Sequence, residues 1–154
     1  MFKIERHTEL LSKTRANALN VVESLTLEQL NTVPEGFNNT IAWNFIHGMF
    51  SNQGLIYGMS GLPFQVAADR FDGYKKGDAG SKAVTQEQID FFKKFAIESI
   101  AKLEADYKSG IFKTYKTYET SYGYTITNAQ EAIIFSNVHE GVHFGYMLAM
   151  KHLV

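Results

Sequence analysis

A chain of 154 residues, 45% hydrophobic and 20% charged, has enough apolar material for one soluble domain over 1–154 with a core of its own. It has no cysteine, which excludes disulfides and thiolate ligands; a transition-metal site must then use His, carboxylate and water, a set suited to zinc, nickel or iron. A net charge of −1 without basic runs beyond Lys75-Lys76 or Lys93-Lys94 argues against nucleic acid. The charged start Met1-Phe2-Lys3-Ile4-Glu5-Arg6-His7, with no apolar run near ~18 residues, argues against a signal peptide or membrane span and makes the cytoplasm the expected setting.

The first predicted helix runs from about Lys3 to Ser24. Phe2, Leu10, Thr14, Ala18 and Val21, with Ile4, Leu11 and Val22, form its broad apolar face, and Glu5, Lys13, Arg15 and Asn17 fall elsewhere. His7, near its start, reads as a surface residue. Thr26-Leu27-Glu28-Gln29 has the capping-box pattern and opens a short helical turn that Pro34-Glu35-Gly36 ends.

Asn38-Asn39-Thr40 offers caps for a second long helix, about Thr40 to Met59, with Trp43, His47, Phe50 or Ser51, and Gly54 on one face. His47 is either a core histidine or a ligand supplied by a second helix. Asn44 is either a partner for an imidazole N–H or a polar residue on the helix flank. Gly58-Met59-Ser60-Gly61-Leu62-Pro63 breaks the helix. From there to Val84 the chain is loop-like and long, and Phe64, Phe71 and Tyr74 are expected to pack it over the end of the helices.

Thr85-Gln86-Glu87-Gln88, a second capping box, opens a third long helix that Gly110 stops after about Ser109. Its apolar positions are Ile89, Phe92, Phe95 or Ala96, Ser99 or Ile100, Leu103 and Tyr107. The segment from Ile111 to Ile126, with Tyr115, Tyr118, Tyr122 and Tyr124, favours extended chain that covers one end of the helices, or else lays phenols near a site. Thr127-Asn128-Ala129-Gln130 reads as a third capping box before a final helix that runs to the C-terminus. Four long amphipathic helices bury their stripes most simply as an all-α four-helix bundle.

The final helix carries the chemistry. His139 and His143 are four apart, so they share a face one turn apart and can aim at one atom. Ala132, Ser136, Met147 and Met150 fall on the same stripe, which should face the core. Buried neutral imidazoles need partners, so the pair is held by core hydrogen bonds or by a metal.

His139-Glu140-Gly141-Val142-His143 is also a literal H-E-x-x-H, the zincin pattern. Its metzincin extension fails, because Tyr146 and Ala149 stand where Gly and His are required. His152 lies on the opposite side of the helix, and Glu140, ~100° round from His139, reads as a surface residue or a support for the ligands.

The segment Ile41-Ala42-Trp43-Asn44-Phe45-Ile46-His47 is similar to a W-x-x-x-H motif, and His139-Glu140-Gly141-Val142-His143-Phe144-Gly145 to an H-x-x-x-H-x-G motif, of the DinB-like (YfiT/DinB) superfamily of metalloenzymes. The chain resembles that superfamily over nearly its whole length. The resemblance implies an antiparallel up-down-down-up four-helix bundle with a long crossover between the second and third helices. It implies a divalent nickel, zinc or iron ion held by His47, His139 and His143, and often a homodimer. Relatives include thiol S-transferases that use low-molecular-weight thiols such as bacillithiol, and a mycothiol-dependent isomerase. The expected function is therefore a metal-dependent thiol S-transferase or hydrolase acting on a small molecule, with no nucleic-acid or membrane partner. The alternative is a non-enzymatic dimeric stress or interaction bundle with a structural His site.

Overall fold

In the computed structural model, which describes residues 1–78, 80 and 82–154, every α-helix described but the first begins at a capping side chain. Thr26 accepts the Gln29 N–H while the Gln29 side chain takes the Thr26 N–H, opening α2 (Leu27–Asn31). Thr85 and Gln88 do the same for α4 (Gln86–Lys108), and the Thr40 hydroxyl accepts the Trp43 N–H at the start of α3 (Ile41–Asn52). The helix α1 (Ile4–Glu23) has no side-chain cap.

The last helix, α5 (Ala129–Met150), starts one residue later than its sequence suggests. Asn128, not Thr127, is the cap. Its Oδ1 accepts the Glu131 N–H at 3.0 Å, and the Glu131 carboxylate reaches back to the Thr127 N–H at 2.8 Å. Gln130, freed from that task, donates to the Tyr107 hydroxyl.

The chain is all-α in class. α1 packs on α4 and α5, and α3 packs on α5. Ile41, Ile46, Met49, Phe92, Ala96, Met147 and Met150 fill the larger core cluster, and Ile4, Ile56, Leu103, Ile126 and Ile133 a second. The expected stripe of α1 is shifted. Leu10 is exposed, whereas Thr8, Leu11, Arg15, Ala18, Leu19 and Val22 are buried.

Past Asn52, α3 continues as a π-helical segment over Gln53–Gly58, a wider winding that recurs at functional sites. The long connection to α4 contains a 3₁₀ turn at Ala68–Phe71. Phe71 and Tyr74 are fully buried, with the Phe71 ring against Phe50, Phe64 and Phe92, so the connection packs as its aromatics suggested. Ala79 and Ser81, within that connection, lie outside the described residues.

Gly110, at φ +73°, closes α4 in the left-handed conformation that glycine adopts without steric cost. The tyrosine-rich segment is extended except for a small antiparallel ladder, β1 (Tyr118–Glu119) against β2 (Thr125–Ile126). Among the described residues no helix is long and apolar enough to cross a membrane.

Candidate metal centre

The close approach of α3 to α5 brings the three histidines together. Gly48 permits it: a Cβ there would lie 3.2 Å from the Glu140 Cγ. Glu140 is itself held from the other side. Arg15 Nε and Nη2 donate to its two carboxylate oxygens at 2.8 and 2.7 Å, and Arg15 Nη1 donates to Ser99 Oγ at 2.7 Å and the Ala96 carbonyl at 3.1 Å. Arg15 is 3% and Glu140 7% exposed, so the pair ties α1, α4 and α5 together inside the core. With both oxygens committed to Arg15, Glu140 is a support and not a base of the zincin kind.

His47 is buried on α3, stacked at 4.2 Å on the Trp43 ring. Its Nδ1 lies 2.8 Å from the Tyr74 carbonyl, which can only accept, so Nδ1 carries the proton and Nε2 keeps its lone pair. His143 is set by the same logic. Its Nδ1 lies 2.8 Å from Asn44 Oδ1, while the Asn44 amide nitrogen donates to Asn39 Oδ1 and the Thr40 carbonyl; the Asn44 oxygen therefore accepts and His143 Nε2 is left bare. That Nε2 is 3.2 Å from His139 Nε2. His139 Nδ1 is buried without a partner among the described residues, so in the metal-free site it is His139 Nε2 that donates to the bare His143 Nε2, and that proton would pass to Nδ1 for Nε2 to ligate.

One ligand atom from each of His47, His139 and His143 falls within 4.8 Å of the others. Burial first, and then the neighbouring imidazoles, push His139 down to about 4 and His143 down to about 3. Burial also lowers His47, opposed by its bond to the Tyr74 carbonyl. The rings are therefore neutral at pH 7, the state in which imidazole binds a metal. Convergent neutral nitrogens, two of them oriented by outer hydrogen bonds, are a donor set that fits a divalent zinc, nickel or iron ion.

The cluster opens on a cleft of about 400 Å³. His47, His139 and Ser51 stand on its inner wall. Phe50, Leu55, Met59 and Phe135 make an apolar side, and Lys76, Tyr118, Thr120 and Ser121 come from the two connections that close over it.

A model of the DinB superfamily matches residues 10–147. The chain belongs to the DinB superfamily. No curated protein and no solved structure matches it.

Within this superfamily member, the three histidines expected to meet do meet, and Asn44 takes the imidazole N–H that sequence reasoning offered it. Of the four tyrosines singled out between 111 and 126, only Tyr118 lines the cleft. Arg15 was missed as a partner of Glu140. Its spacing was a usable signal, since it stands four residues from Leu11 and three from Ala18 on the buried stripe. Tyr74 acts through its backbone carbonyl, for which no side-chain pattern exists. His7, expected at the surface, is half-buried, its ring stacked on Phe2 at 4.6 Å.

Proposed function

We propose that this chain is a metal-dependent enzyme acting on a small molecule, of the thiol S-transferase or hydrolase kind, with His47, His139 and His143 as ligands of a divalent nickel, zinc or iron ion. The observation that carries the reading is the convergence of three neutral imidazoles, two of which, His47 and His139, line a 400 Å³ cleft. The frame we propose for it is a single antiparallel four-helix bundle, α1, α3, α4 and α5, in up-down-down-up order with the long crossover between α3 and α4. Pairwise packing of α1 with α4 and α5, and of α3 with α5, supports that frame.

When bound, the ion supplies a Lewis acid that lowers the pKa of a coordinated water or thiol toward neutrality. The chain's own residues do the rest. Tyr74 and Asn44 hold the Nδ1 protons of His47 and His143, fixing which nitrogen each ring presents. The Trp43 ring packs against one face of the His47 ring. Phe50, Leu55 and Phe135 thin the water around the reacting group, which strengthens electrostatic interactions there. Three protein ligands would leave coordination positions free for water or substrate, as a catalytic site requires.

The test is metal content of the purified protein by elemental mass spectrometry, beside His47→Ala/His143→Ala, followed by thiol-transfer and hydrolysis assays of the loaded enzyme. Near-stoichiometric metal lost in the double variant, with activity that follows the metal, is expected. A wild type that takes up neither nickel, zinc nor iron sinks the reading.

A second reading is a non-enzymatic dimeric bundle, and one observation favours its dimeric part. Ile134, Val138, Val142 and Tyr146 recur every four residues on the outer face of α5, each 40% or more exposed, and the one charged residue from Ala132 to Met150, Glu140, is buried. Such an uncharged face suits a second copy of itself, and we propose a homodimer through it under either reading. Sedimentation of wild type against Val138→Lys/Val142→Lys tests it: the variant should be monomeric, and a monomeric wild type overturns the proposal.

A further inference from the structure

The cleft has a charged side that ligation of a metal leaves unused. Lys76 is, among the described residues, its one charged lining residue, and no described carboxylate shares the lining. Among the described residues Lys76 forms no ion pair, in contrast to its neighbour Lys75, which is bound to Asp72 at 2.7 Å. Asp78, two residues on, turns its carboxylate to the Lys75 backbone N–H at 3.1 Å.

Facing the cleft from the β1–β2 hairpin are Thr120 and Ser121. Thr120 is 6% exposed, and its Oγ1 accepts the N–H groups of Tyr122 and Tyr124 at 3.3 and 3.2 Å. With both lone pairs of that oxygen turned to backbone donors, its proton is what it has left to offer. Thr120, with a hydroxyl proton to give, and Lys76, unpaired among the described residues, thus border the same space as the apolar Phe50, Leu55 and Met59.

We infer that the cleft selects an amphipathic small molecule with an anionic group, carboxylate or phosphate, seated on Lys76 and Thr120 while its apolar body lies against Phe50, Leu55 and Met59. The inference rests on the reading of this cleft as the substrate site. Lys76 is then a specificity-determining residue, because an ammonium contributes through charge where a neutral group of the same length does not. An exposed ammonium is screened by solvent, so the discrimination it gives is on the scale of fivefold, and falls with salt.

The experiment is a calorimetric titration of the zinc-loaded full chain with phenylacetate, phenyl phosphate and the neutral phenylacetamide, on wild type, Lys76→Gln and Lys76→Arg. At low salt the wild type should bind one or both anions about fivefold more tightly than the amide. Lys76→Gln should erase that preference and Lys76→Arg keep it. Preference for phenylacetate alone assigns a carboxylate, and for phenyl phosphate alone a phosphate. A preference that survives in Lys76→Gln means the anion sits on the metal and overturns the inference, as does equal binding of the amide or no binding of any probe. Elemental analysis of the same samples separates the two readings. Lys76→Gln should hold as much metal as wild type, and a wild type without metal would defeat the metal centre while leaving the charge preference to be read on its own.

Discussion

Arg15 and Glu140, 125 residues apart in sequence, hold each other through two parallel hydrogen bonds of 2.8 and 2.7 Å in the core beside the histidine cluster. A buried pair of this kind is worth little against an apolar pair of similar volume, yet removal of one partner strands the other charge. Glu140→Ala should therefore cost about 3–5 kcal/mol in urea unfolding. Arg15→Met/Glu140→Met should recover most of that loss. A Glu140→Ala cost below about 1 kcal/mol, the scale of an exposed pair, would show that the guanidinium finds water and that the pair does not lock the helices.

Gly48→Ala tests how closely α3 must approach α5. In an exposed helix interior the change stabilises by roughly 0.5–1 kcal/mol, through lost backbone entropy of the unfolded chain. Here the new methyl meets the Glu140 Cγ at 3.2 Å, and Arg15 holds Glu140 so that it cannot swing away. The expected sign is therefore reversed, a loss of about 1–2 kcal/mol from overpacking. Metal affinity should fall in parallel, because His47 is the preceding residue on α3. A stabilised variant with unchanged metal binding would contradict this account.

Asn44 has no contact with the cleft but fixes the His143 proton through its carbonyl oxygen. Asn44→Leu removes that acceptor at similar volume, leaving His143 free to present either nitrogen. Zinc affinity, measured by competition with a chromophoric chelator, should drop 10–100-fold, the range for lost outer partners of ligating histidines. If affinity is unchanged, the tautomer of His143 is set by something other than Asn44.

The helices were legible because their starts are chemical. Thr26, Thr40 and Thr85 cap as their patterns say, and the α5 stripe through His139 and His143 follows from spacing alone. At Thr127 the pattern misled by one residue, since Asn128 is at least as good a cap and Glu131 stands where it can support that start. Arg15 was left off the apolar face and Leu10 placed on it; packing reversed both, and the buried carboxylate of Glu140 holds the guanidinium inside. The Tyr74 carbonyl and the cleft itself were not legible. Both depend on how the connection between α3 and α4 folds back, which no local period encodes.

Acid should unfold the metal-free protein earlier than it unfolds a variant without the cluster. The unfolded chain binds protons on His near pH 6.5, whereas in the fold His139 titrates at about 4 and His143 at about 3, and His47 is lowered in the same direction. Depressed histidines favour the unfolded state once it can protonate. Their cost is absent above about pH 6.5 and grows as pH falls through 6 toward 4. Urea midpoints of chelator-treated protein, measured from pH 7.5 to 4.5, should fall more steeply for wild type than for His139→Gln/His143→Gln. Added zinc should move the wild-type decline to lower pH, since a cation bound only by the fold holds the rings deprotonated, until protons displace it. Parallel curves for wild type and the double variant would mean that the histidines are hydrated and titrate as they do in the unfolded chain.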